Sequence, residues 1–211
     1  MFKDKAKPRP SPGQRLPAWQ WFFPLAAVHA ALMVPLSLLA LYYQFDFLPQ
    51  LASPMGHARE LVFGFALSLI AGYLLGPLPI RQIAGLVTLW VVGRLGVMAA
   101  PLMHVATLAD GLFAVWVACL LVPRFMAAKK WRNRIIAPLL GLLCLLGIVT
   151  LTWRYLGDTL ITAPLMHLSV LGLVLLMTFM GGRIIAPAVN AYLIRRHRLA
   201  GAGVHRASKQ H

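Results

Sequence analysis

The chain has 211 residues, 60% of them hydrophobic and 12% charged, with a mean hydropathy of +0.75. That composition excludes an array of soluble domains and indicates one bundle of membrane helices. The net charge of +15 would suggest nucleic acid in a soluble chain, but here the basic residues cluster between apolar runs. Positive-inside topology and contact with anionic membrane lipid account for them, and nucleic acid is excluded as a partner.

Residues 1–18 are polar and carry Lys3, Lys5, Lys7, Arg9 and Arg15 among four prolines, which predicts a disordered basic tail. The apolar run over 19–43 is too long for a signal-peptide core and predicts the first span. Further spans are predicted over 57–78, 83–100, 101–122, 135–153 and 164–186, and residues 187–211 read as an interfacial segment passing into a basic tail. Three regions follow: the tail 1–18, a six-helix transmembrane domain 19–186, and the C-terminal segment 187–211. Sixteen of the twenty Lys and Arg fall in the two tails, the turn after span 2 and the loop 123–134. The fold expected is therefore an all-α, polytopic membrane helix bundle with six transmembrane helices and both termini inside, N-in/C-in. Cys119 and Cys144 lie within apolar runs and read as small buried residues. No Walker loop, GxGxxG, GxSxG or HExxH motif is present.

Span 2 carries Glu60, Gly64, Ser68, Gly72 and Gly76 at steps of four, a stripe of small residues that lets another helix backbone approach closely. Three spans open on Pro-x-x-His: Pro54 with His57, Pro101 with His104, and Pro164 with His167. Proline suits a first helical turn, where its missing N–H has no partner to lose. Three residues of helical rise then place each imidazole about 4–5 Å below its proline. Three imidazoles are thus expected at one depth near the outer surface, with His29 deeper, about mid-span in the first helix.

Neutral imidazole ligates haem iron, copper and zinc, and histidines on different helices can hold a b-type haem axially. Met55, Met103 and Met166 add thioethers at the same level, a softness that suits copper. The same histidines could instead be solvated or capping groups at helix ends. Glu60, Arg94 and Asp110 are charges within spans and must be paired, so an Arg94–Glu60 or Arg94–Asp110 ion pair is expected. The alternative assigns Arg94 or Arg59 to a haem propionate and Glu60 to orienting a ligating imidazole. Gly181-Gly182-Arg183 and Asn190 close span 6 and read as a tight helix contact with a snorkelling arginine.

Several stretches together resemble the NnrS family. His57-Ala58-Arg59-Glu60-Leu61-Val62-Phe63-Gly64-Phe65-Ala66, continuing to Ile70-Ala71-Gly72-Tyr73-Leu74-Leu75, is similar to its HAHEM-FGF-A…IAGFLL signature. Leu89-Trp90-Val91-Val92-Gly93-Arg94-Leu95 is similar to its LWL-GRL segment. Lys130-Trp131-Arg132-Asn133 is similar to the NWRN loop, and Gly181-Gly182-Arg183-Ile184-Ile185 to the GGR-IP stretch. The chain departs from the pattern at Arg59, where the family has a second histidine, and it is about half the usual length.

The resemblance implies a multi-pass protein of the bacterial inner membrane that binds haem b and copper and takes part in the response to nitric oxide and nitrosative stress. Against the family's usual length the chain reads as a truncated reading frame, a half-size member that pairs as a homo-oligomer, or one part of a split protein with a second half-protein as partner. The candidate haem-binding residues are His57, His167, His29 and His104, with Arg94 and Glu60 in support. The candidate metal-binding residues are His57, His167, Met55, Met103 and Met166. A rival reading from another class is a cofactor-free half-size transporter acting as a homodimer, or an assembly subunit. The absence of any visibly interrupted span argues against the transporter.

Overall fold

The computed structural model describes residues 15–43, 51–98, 100–155 and 159–207. The expected disordered tail thus lies, up to residue 14, outside the described residues, as do the side chains of Arg183, His197, His205 and His211. In chain order the elements are β1 (Arg15–Pro17), α1 (Trp19–Tyr43), α2 (Pro54–Arg59), a π-helical segment (Glu60–Ala66) and α3 (Leu67–Leu74). There follow β2 (Pro77–Pro79), α4 (Ile80–Met98), a 3-10 turn (Ala100–Leu102), α5 (Met103–Met126), α6 (Trp131–Arg134), α7 (Ile136–Tyr155) and α8 (Thr159–Ala207). The chain divides into two compact units, 1–173 and 174–211. All sites described below belong to the first.

The helices bury narrow stripes, as expected where lipid is the other solvent. In α1 the buried residues are Phe22, Ala26, His29, Ser37 and Ala40, at steps of three and four apart from one gap, so they form one face. In α4 they include Ile83, Leu86, Trp90, Gly93, Arg94 and Val97, and in α5 Ala106, Ala109, Asp110, Phe113, Ala114, Val117 and Leu121. Arg94 and Asp110 therefore lie on the inward stripes, and the same spacing that buries the apolar residues buries these charges. α4 packs on α5, α5 on α7, and α1 on α3 and the π-helical segment.

Among the described residues four helices are long and apolar enough to cross a membrane: Trp19–Tyr43, Ile80–Val97, Met103–Met126 and Ile161–Phe179. The expected fifth span corresponds to α7, Ile136–Tyr155, a helix of 20 residues that is apolar over Ile136–Thr150. The expected second span is not one regular helix. It is α2, the π-helical segment and α3 in succession, so an interruption that the sequence did not suggest is present.

The small-residue stripe is confirmed as a close-packing surface. A Cβ at Gly72 would meet Phe23 at 2.7 Å and Phe22 at 3.1 Å, and one at Gly64 would overlap the His29 ring. Both neighbours belong to α1, so the stripe is where α1 and the interrupted helix meet.

The three Pro-x-x-His starts differ from one another. Pro54 does open α2, where Ser53 Oγ caps by accepting from the Gly56 N–H at 3.0 Å. Pro101 sits in the 3-10 turn before α5, whereas α8 begins at Thr159 and leaves Pro164 inside the helix. Span edges cannot be read from proline alone, because a membrane helix tolerates an interior proline when neighbours satisfy the freed carbonyl. α1 itself contains Pro24 and Pro35.

A short ribbon ties the start of α1 to the turn after α3. Leu16 pairs with Leu78, flanked by Arg15 with Pro79 and Pro17 with Pro77. Pro17, Pro77 and Pro79 have no N–H, so Leu16 and Leu78 are the residues able to exchange two bonds. Beyond the ribbon the Ala18 N–H donates to Gly76 O at 3.0 Å. Gly76 adopts φ +68°, a left-handed turn conformation that costs glycine little. Cys144 is buried as expected, but Cys119 is exposed on α5.

Candidate functional site

Two arginines, two carboxylates and a histidine meet in the interior of the first unit. Arg59 ends α2, Glu60 begins the π-helical segment, Arg94 is on α4, Asp110 on α5 and His29 on α1. All five are at most 5% exposed. Arg59 donates from Nε to Asp110 Oδ2 at 2.9 Å and from Nη2 to the same oxygen at 2.6 Å. Arg94 donates from Nη2 to Asp110 Oδ1 and from Nη1 to Glu60 Oε2 at 2.7 Å. Glu60 Oε2 lies 3.4 Å from His29 Nε2. Charges alternate along this chain of contacts and sum to zero, which is how ionised groups persist away from water. The ion pair expected at Arg94 is thus made with both Glu60 and Asp110, and Asp110 is the hub that joins Arg59 to it.

Arg59 and Glu60, neighbours in sequence, are both buried where α2 passes into the π-helical segment. The cap at its end is an i to i−5 bond, the Leu67 N–H donating to Val62 O. That extra residue per turn changes the angular register between α2 and α3. It also places Gly64 O where Trp90 Nε1 donates to it at 2.9 Å and Ser68 Oγ at 2.7 Å. The Trp90 ring then stands edge-on to His29, with centroids 5.6 Å apart. Two polar atoms of the cluster, Glu60 Oε1 and Arg94 Nε, are buried without a hydrogen-bond partner.

Proton positions on two histidines follow from their partners. His29 Nε2 is 3.2 Å from Glu60 O, and a carbonyl only accepts, so Nε2 carries the proton. His57 Nδ1 is 2.6 Å from Ser37 Oγ, while Ser37 donates its single proton to Val34 O at 2.8 Å. Ser37 must then accept from His57, which puts the proton on Nδ1 and leaves a lone pair on Nε2. His57 is half-buried.

The other candidates lie apart. His104 and His167 are exposed on α5 and α8. Met166 is buried, Met55 half-buried, and Met103 Sδ accepts from Arg59 Nη1 at 3.3 Å. Among the described residues no group of three or more His, Cys, Asp or Glu side chains is placed to hold a metal ion. His29 and Ser37 are eight residues apart on α1, about 12 Å along the axis, so His29 and His57 occupy different depths.

Sequence alone assigns Ser37 no role, and Trp90 only a place in the segment similar to LWL-GRL, since a serine or tryptophan on an apolar stripe carries no signal until its partner is known.

Compared with known families, residues 16–207 match the family model described as NnrS protein. No curated protein and no solved structure matches.

Proposed function

The chain belongs to the NnrS family, and on that premise we propose that it is an integral protein of the bacterial inner membrane that binds haem b in the response to nitric oxide. The observation that carries the reading is the His57 tautomer. Ser37 holds the Nδ1 proton, so Nε2 offers its lone pair, the state in which an imidazole ligates a metal. His57 supplies one neutral imidazole donor of the kind such a group takes. Haem iron, when bound, supplies a coordination position that a small diatomic ligand can take.

The chain's own residues divide the work. His57 is the ligand; Ser37 orients it; the Arg59–Asp110–Arg94–Glu60 network fixes α2 and the π-helical segment that carry it. Arg59 and Arg94 are already engaged by carboxylates, so their supporting role is to hold helices in place rather than to grip a propionate. His29, whose Nε2 proton is committed to Glu60, belongs to that support. His104 and His167 are exposed, and either would reach the group only where two copies of the chain, or the chain and a second half-protein, meet. Copper is the alternative metal of this reading: the single lone pair on His57 Nε2 would hold either haem iron or copper, and Met55 is the nearest thioether in sequence.

Purification in mild detergent, followed by oxidised and dithionite-reduced spectra, pyridine haemochrome and copper analysis, tests the reading. Sharp reduced α and β bands are expected, with haem occupancy falling at least tenfold in His57→Ala. A colourless, metal-free but folded protein would overturn it.

A further inference from the structure

We propose that the groove between α5, α6 and α7 is a binding site for one anionic phospholipid. The groove is an open one of about 700 Å³, lined by Val122 and Met126 of α5, Trp131 and Arg134 of α6, and Gly141 and Leu145 of α7, among others. Gly141, which has no side chain, lies on its floor. A Cβ there would meet only Val122, at 3.7 Å, so the floor of the groove is helix backbone.

Its two ends differ chemically. At the α6 end Arg134 and Trp131 are exposed, Trp131 to 69%, and Lys129 and Lys130 stand exposed just before them. Tryptophan and basic residues of this kind mark the headgroup level of a bilayer. Away from α6 the lining is wholly apolar, ending at Leu142 and Leu145. From Ile136 to Leu145 α7 rises about 14 Å, close to half of the roughly 30 Å hydrocarbon core. The groove therefore runs the depth of one leaflet, with cations where a phosphate lies and apolar surface where an acyl chain lies. Basic pockets between membrane helices bind anionic headgroups on this principle. A zwitterionic lipid fits the apolar part equally well but brings its own cation to Arg134 and Lys130.

The test uses the full chain in detergent micelles, titrated with phosphatidylglycerol or phosphatidylcholine of identical acyl chains. Retained lipid is read by native mass spectrometry. Phosphatidylglycerol should be retained at least fivefold more strongly. Arg134→Gln should reduce that preference about fivefold, the effect of one basic residue near an anionic headgroup, and Gly141→Leu, which fills the groove, should lower retention of both lipids. Arg134 is exposed and Gly141 half-buried, and monodisperse elution with unchanged helical content confirms that the variants fold. Equal retention of the two lipids would overturn the proposal, as would a preference untouched by Arg134→Gln. Displacement by glycerol phosphate as effective as by lipid would mean a phosphate site alone, and would also overturn it. So would a dimer, without bound lipid, that Gly141→Leu converts to monomer, since the occupant would then be a second copy.

Discussion

Asp110→Asn is the most informative perturbation of the buried network. The side chain keeps its size, but the carboxylate that accepts from Arg59 Nε, Arg59 Nη2 and Arg94 Nη2 loses its charge. Glu60 alone then faces two guanidiniums, and the cluster passes from neutral to one net positive charge. Removing one partner of a buried pair costs about 3–5 kcal/mol, because the remaining charge is uncompensated. Two charges 4 Å apart at an effective dielectric constant of 20 give about 4 kcal/mol, the same order. For a chain of this length that lowers the melting temperature by on the order of 10 °C. The assay is size-exclusion chromatography after heating in detergent, for Asp110→Asn, Arg59→Gln and the double variant. The double variant restores neutrality and should be more stable than the sum of the single losses, with a coupling of about 1–3 kcal/mol. Asp110→Asn melting with the parent protein, or strictly additive losses, would refute the account of the cluster as a charge-balanced clamp.

Two further outcomes follow from the close contacts. Gly64→Ala places a methyl group against the His29 ring and 2.9 Å from Arg94 Nη1, and should destabilise by about 1–3 kcal/mol through overpacking. Gly111→Ala, where no atom lies within 4 Å, should instead be neutral or stabilising by up to about 1 kcal/mol; thermal melts of the pair check both signs. Ser37→Ala removes the acceptor that fixes the His57 tautomer while leaving helix packing intact. Haem affinity should fall about 10–100-fold with little change in melting temperature, measured by haem titration of the apoprotein. An unchanged affinity would show that His57 needs no orienting partner.

Much of this protein is decided by one-dimensional chemistry. Long apolar runs have to become helices in lipid, because no other open structure satisfies the backbone there. Glu60, Arg94 and Asp110 have to find one another, because an unpaired charge within a span is too costly. The glycines of the interrupted span have to meet a close neighbour, and they do so through side chains, His29 and Arg94 at Gly64 and Phe22 and Phe23 at Gly72, rather than through a second backbone. These results need composition and period alone, and each is present in the fold.

What tertiary structure decided is direction. Steps of four assume a regular α-helix, whereas Glu60–Ala66 is π-helical, which changes the angular register between α2 and α3. Equal spacing from a proline promised three histidines at one level. Yet Pro164 lies inside α8 and not at its start, and His104 and His167 face outward while His57 reaches Ser37. Sequence spacing sets how far along a helix a side chain sits. Which neighbour it meets depends on helix rotation and crossing, and those are set only when all the stripes pack at once.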